Sequence, residues 1–164
     1  MKFYSTNIKS PIVGLEEAVM NGLAPDGGLY MPEFIPKLRG DFFNQAGSLS
    51  FQDIAFEVGK NFFMSVIPED TLRTIVQELF DFDVPIVKLN KHLYVLELFH
   101  GPTCAFKDFA ARFMARLLGF FAERAQKEIT ILVATSGDTG SAVAHGFLNV
   151  HGIKVVILYP SGKV

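Results

Sequence analysis

The spacing of apolar positions along the chain changes character near residue 84. Upstream, short helical patterns alternate with irregular stretches. In "GLEEAVMNGL", Leu15, Val19 and Leu23 recur at helical spacing, and Gly22 is a natural stop. "APDGGLYMPEFIP" is dense in Pro and Gly and reads as a turn followed by extended chain. Ser50 and Asp53 have the spacing of a capping box, opening a helix with Phe51, Ile54, Ala55, Val58 and Phe62 on one face. A second helix starts near Pro68, gains Glu69 and Asp70 in its first turn, and buries Leu72, Ile75, Val76 and Leu79. It ends near Asp81.

Downstream, strands appear. "PIVKL" and "LYVLELF" predict a hairpin across a polar "NKH" turn. "FKDFAARFMARLLGFFAERAQ" predicts an amphipathic helix, with Phe109, Ala110, Phe113, Met114, Leu117 and Phe121 inward and Arg112, Arg116 and Glu123 outward. "ITILVAT" is almost wholly apolar, as expected of a parallel strand covered on both faces. The helix "GSAVAHGFLNV" and the strand "IKVVILYP" follow. Strand, helix and strand within about thirty residues make a βαβ unit of an α/β fold. Two regions are expected, a mainly helical one over residues 1–83 and an α/β one over 84–164. The hairpin and two central-type strands need neighbours, so the α/β part is expected to be incomplete, a fragment of a larger enzyme.

Composition narrows the function classes. A net charge of −2 with scattered Lys and Arg supplies no basic stripe for nucleic acid or anionic membrane. No stretch is long and apolar enough to span a bilayer, and the polar "MKFYSTNIKSP" start is not a secretory signal. One cysteine, Cys104, excludes a disulfide framework within the chain and fits a reducing, cytoplasmic setting. No spacing of His, Cys, Asp and Glu fits a metal site.

Two stretches carry candidate chemistry. In "ATSGDTGSAVAHGF" a buried-type strand turns into a helix through Ser136, Gly137, Asp138 and Thr139. Free amides at a helix start bind anions, and ligands of α/β sheets gather at the carboxyl ends of strands. The plainer reading is that Asp138 or Thr139 caps the helix. The loop fits neither G-x-G-x-x-G nor a P-loop nor G-x-S-x-G. The second stretch is "LFHGPTCAFKDFAARFM", where Lys107 opens a helix between Phe106 and Phe109. Burial and the positive helix end both disfavour an ammonium, and the neutral amine is a nucleophile for aldehydes. The plainer reading is a lysine stem lying over Phe106 with its head in water. His100 is expected to donate to a backbone carbonyl, and Cys104 to fill a small apolar space.

Both stretches, in this order, resemble the threonine synthase family. "LFHGPTCAFKDFAARFM" is similar to its cofactor-lysine motif and "ATSGDTGSAVAHGF" to its glycine-rich loop. "PDGGLYMPE" and "VVILYPSGKV" also fit the family pattern. The resemblance spans nearly the whole chain and implies a pyridoxal 5'-phosphate enzyme of the tryptophan-synthase-β-like fold, a mostly parallel three-layer sheet of which this chain holds part. It implies conversion of O-phospho-L-homoserine and water to L-threonine and phosphate. Lys107 matches the Schiff-base lysine and acid/base; residues 136–139 match the loop that receives the substrate carboxylate, and Asp138 the position near the cofactor ring hydroxyl. The groups that hold the cofactor phosphate and ring nitrogen are expected beyond Val164, so the missing C-terminal part of the fold is the expected partner and the fragment alone is expected to be inactive. A dehydratase or β-replacement enzyme of the same fold, or a non-catalytic anion-binding module, are the alternatives.

Overall fold

A computed structural model describes residues 1–162. Lys163 and Val164, the end of "VVILYPSGKV", lie outside the described residues. Two compact units are present, Met1–Gln77 and the chain from Glu78 onward.

The first unit opens with a small antiparallel sheet that helical spacing did not predict. Strands β1 (Lys2–Ser5), β2 (Val13–Gly14) and, further on, β3 (Tyr30–Pro32) run in the order β2-β1-β3. Strands this short are invisible to a search for alternation. A polar hub holds them. The Asp26 carboxylate accepts from the Ser5 hydroxyl at 2.6 Å, the Lys9 amide at 2.9 Å and the Gly28 amide at 3.0 Å. These bonds, that of Ser5 foremost, hold the Asp26 carboxyl down to about 2. A side chain at Gly28 would collide with Ser5, so the "DGG" turn packs against the hub by lacking one.

Helix α1 (Leu15–Asn21) stops at Gly22, whose φ of 69° suits glycine. A short α2 (Phe42–Gln45) and a 3₁₀ turn lead to α3 (Phe51–Phe63). Its capping box is complete: the Ser50 hydroxyl accepts from the Asp53 amide at 3.0 Å, and the Asp53 carboxylate from the Ser50 amide at 3.4 Å. The buried face of α3 differs from expectation, however. Phe56 and Gly59 are buried, whereas Phe51 and Val58 are exposed. Gly59 packs against Leu72 of α4 (Glu69–Leu79), whose methyls lie 3.7–3.8 Å from where a Cβ would be. Arg73 then stacks on Phe56, 3.9 Å from the ring centre. On α4 the expected stripe is the observed one: Leu72, Ile75, Val76 and Leu79 are all buried.

In the second unit β4 (Ile86–Lys88) and β5 (Tyr94–Leu96) form the expected antiparallel hairpin. Asn90 shapes its turn, accepting from the His92 and Leu93 amides at 3.0 and 3.1 Å. Helix α5 (Lys107–Ala125), β6 (Ile129–Ala134), α6 (Asp138–Gly146) and β7 (Ile153–Leu158) follow. Strands β6 and β7 pair in parallel, Ile131 against Val155, around the α6 crossover. The βαβ unit is as expected; the burial of its strands is not. Only alternate residues are shielded, and Leu132 is 65% exposed, with Val156 and Leu158 also open. The helices cover one face of a two-stranded sheet and nothing among the described residues covers the other.

The faces of α5 also need correcting. Arg112, expected outward, is buried, and Met114, expected inward, is 53% exposed. The reason is polar. The Arg112 guanidinium donates to the Asp81 carboxylate at 2.6 Å and to the Glu78 carbonyl at 2.8 Å. A guanidinium so paired tolerates burial, and the helix is rotated to keep it there. Its bond holds the Asp81 carboxyl below the usual carboxylate range. Among the described residues no helix is long and apolar enough to cross a membrane.

Candidate active site

The turn before α5 is built around a carboxylate. Asp108 is fully buried. One of its oxygens accepts from the Thr103 amide at 2.9 Å and the other from the Thr103 hydroxyl at 2.6 Å. Two donors and a place in the first helical turn compensate the burial of its charge. Gly101 completes the ring: a Cβ there would lie 2.5 Å from an Asp108 oxygen and 3.0 Å from its Cβ. Between them Cys104 is forced to a φ of 55°, an unusual value for a non-glycine residue. Lys107 is the residue just before this anchor. This clamp depends on a bond between residues five apart across a turn, which helical or strand spacing does not reveal.

The loop before α6 is pinned by the residue that ends β6. The Thr135 hydroxyl accepts from the Gly137 and Gly140 amides, each at 3.1 Å. A side chain at Gly140 would strike Thr135 and press on Ile157. Neither Asp138 nor Thr139 caps the helix; Gly137 stands at the cap with no side-chain bond. This removes the plainer reading of those two side chains.

Helices α5 and α6 then bring both segments together. Gly146 lies so close to α5 that a Cβ would sit 3.0 Å from the backbone of Ala111 and Arg112. Lys107 at the start of α5 meets Thr139 in the first turn of α6, and Ala111 one turn further along α5 meets Gly146 at the end of α6, so the two helices pack in parallel with both N-termini at one end. There the Lys107 amine donates to the Thr139 hydroxyl at 2.6 Å.

Lys107 and Asp138 line one open cavity of about 480 Å³, whose other walls include Leu98, Phe99, Thr103 and Phe106. That volume suits a small molecule. Ser136 and Gly137 stand on the same loop but do not line this cavity; Gly137 borders a smaller neighbouring one of about 240 Å³. The setting of Lys107 is less enclosed than its sequence implies, since Phe106 is 64% exposed. His100 bonds the Glu97 carboxylate at 2.6 Å rather than a carbonyl, and stacks on Phe99. Cys104 is exposed, not an apolar filler, because the clamp turns it outward.

The site fits half of an aldehyde-and-phosphate cofactor. Lys107 offers an amine beside aromatic walls, as an aromatic aldehyde requires. Among the described residues lining the cavity no second cation is present for a phosphate.

A helix-opening lysine facing a glycine-rich loop at the end of a parallel strand belongs to a class of cofactor enzyme, and comparisons with known proteins identify it. A family model described as pyridoxal-phosphate dependent enzyme matches residues 74–164, and one described as threonine synthase N terminus matches residues 2–80. Threonine synthase of Haemophilus influenzae is 46% identical over 160 residues, covering 96% of this chain and 37% of that protein. The Escherichia coli enzyme is 40% identical over 164 residues, covering the whole chain and 38% of the relative. Among solved structures, pyridoxal-phosphate-bound threonine synthase from Brucella melitensis superposes with a TM-score of 0.95 at 36% identity, over all of this chain and 36% of that one. The chain belongs to the family of pyridoxal-phosphate dependent enzymes, opens with a segment matching the threonine synthase N terminus, and spans little more than a third of the length of these threonine synthase relatives.

Proposed function

We propose that this chain is the lysine-bearing portion of an enzyme that converts O-phospho-L-homoserine and water to L-threonine and phosphate. The observation that carries the reading is the Lys107 amine held 2.6 Å from Thr139 where two helix N-termini converge. Pyridoxal phosphate, when bound, supplies an aldehyde for Lys107 and a ring that draws electron density from the substrate carbons. Lys107 and Asp138 hold it on this side of the cavity.

The chain's own residues have two tasks. The first is to bind the substrate carboxylate, which falls to Ser136, Gly137, Asp138 and Thr139. Thr135 occupies the amides of Gly137 and Gly140, so the Ser136 and Thr139 hydroxyls and the first amides of α6 are the donors that remain. The second is to move protons. Replacing a phosphate by a hydroxyl one carbon away requires protons to leave and return to substrate carbons, and the Lys107 amine is the group placed to carry them.

The cofactor phosphate needs ligands outside this cavity, and the open strand faces need cover. Both point to the remainder of the threonine synthase fold as the partner that completes the site, and turnover is expected only with it. A cytoplasmic setting suits the single cysteine.

Supplying pyridoxal phosphate to the enzyme completed by the remainder of the fold, reducing with borohydride and mapping the label by mass spectrometry tests the site. Label on Lys107 is expected; label on another lysine removes the assignment. Turnover of O-phospho-L-homoserine, compared with serine and threonine, separates this activity from a dehydratase or β-replacement enzyme. Anion binding that survives Lys107→Ala, with no cofactor label anywhere, would instead support a non-catalytic module.

A further inference from the structure

The partner of the Lys107 amine is a neutral hydroxyl, although Asp138 lies next to it in sequence and lines the same cavity. Among the described residues no ion pair involves Lys107. Thr139 has no competing task as a helix cap. Its position is fixed from both sides, by Thr135 gripping the loop and by the Gly146 contact setting the distance between α5 and α6.

A hydroxyl differs from a carboxylate in one way that matters to a group that must gain and lose protons. It accepts from an ammonium and donates to a neutral amine, so it holds both forms. A carboxylate only accepts, and its charge favours the ammonium. We infer that Thr139 is a positioning residue for Lys107: its hydroxyl seats the uncondensed amine in either protonation state, so that a proton can be carried without the amine leaving its place. This assignment rests on the function proposed above and gives Thr139 a role beyond holding the substrate carboxylate. While Oγ1 accepts from the ammonium, its own proton stays free for an anion, so the two roles are compatible.

The test uses the enzyme completed by the remainder of the fold, with Thr139→Ser, Thr139→Val and Thr139→Asp. Thr139 is exposed in the first turn of α6, where an aspartate is favourable for the helix and folding is preserved. Without cofactor, lysines are methylated with formaldehyde and cyanoborohydride at neutral pH, and the rate at Lys107 is followed by mass spectrometry with the other lysines as controls. Thr139→Asp is expected to slow labelling of Lys107 about tenfold, because an adjacent carboxylate keeps the amine protonated. Thr139→Ser and Thr139→Val are expected to label within about twofold of the parent, because the lost hydroxyl served both forms alike. With cofactor and substrate, Thr139→Val is expected to lower kcat about tenfold, in addition to the rise in KM that losing a carboxylate donor brings, and Thr139→Ser to restore both.

Labelling of Lys107 at the parent rate in Thr139→Asp would show that the amine does not sit at Thr139. An unchanged kcat in Thr139→Val would show that the hydroxyl does not position it. A KM effect in place of the kcat effect would return Thr139 to carboxylate binding alone. The labelling arm needs no cofactor, so cofactor trapped on another lysine would overturn the proposed function while leaving the seat to be judged by its own result.

Discussion

The start of α5 and the strands around it are opposite in construction. At the helix start, two charged side chains are buried and each is matched: Asp108 by Thr103, Arg112 by Asp81 and the Glu78 carbonyl. The strands have the reverse problem. Every residue of β4 and β5 is exposed, and one face of β6 and β7 presents Leu132, Val156 and Leu158 to solvent. A two-stranded hairpin has marginal stability by itself, and aliphatic faces of this kind are built to be covered. The contacts around Lys107 lie within the described residues, while nothing among those residues covers the open strand faces.

Variants can break this contrast at its strongest point first. Lys107→Ala, assayed in the enzyme completed by the remainder of the fold with cofactor and substrate, is expected to lower turnover by about a thousandfold with an unchanged urea unfolding transition. Asp108→Ala leaves the Thr103 amide and hydroxyl without their acceptor and is expected to cost about 3 kcal/mol, read by urea denaturation. It also releases the turn before Lys107, so the borohydride-trapped cofactor should fall with it. A normal trapping yield in a destabilised Asp108→Ala chain would separate the clamp from the site.

Arg112→Met comes next, at about 2 kcal/mol, less than a fully buried pair because Asp81 is largely exposed. Its pH dependence is a sharper readout. The Asp81 carboxyl is held below its ordinary value of 3.8 by the Arg112 bond. A carboxyl lowered on folding adds stability that is present above the ordinary value and lost as pH falls through the lowered one. Stability should thus drop on acidification below about 3.8, and Arg112→Met should flatten that part of the curve. The smallest effect is expected at the open face. Leu132→Ser should change the stability of residues 1–164 by under about 0.5 kcal/mol. In an assembly completed by the rest of the fold the same change should cost about 2 kcal/mol, and equal costs in both would mean the face is never covered.

Much of this was legible in the sequence where the determinant is local. The Ser50–Asp53 box, the α4 stripe, the hairpin and the βαβ unit depend on residues a few positions apart, and all formed as spaced. The misread parts depend on distant partners. Leu72 packs on the buried face of α3 at Gly59, and Asp81 reaches the buried Arg112 of α5; periodicity holds no record of either. The first sheet was missed because its strands are only two to four residues long and because Asp26 holds Ser5 at the end of β1 from 21 positions away. At the candidate site, Lys107 and residues 136–139 were found as two separate stretches. Their meeting depends on parallel packing of two helices, which no local pattern encodes.

That packing makes Gly146 a fulcrum. It lies seven residues along α6 from Thr139, roughly 10 Å at helical rise, while its contact at Ala111 is four residues, roughly 6 Å, from Lys107. A methyl group at this point would press on the α5 backbone, which must give by a few tenths of an ångström to admit it. The shift would be felt at the far tips of the two helices, where a 2.6 Å contact has little slack. Fidelity of the site is thus vested in a residue with no functional group, too distant to touch anything that reacts.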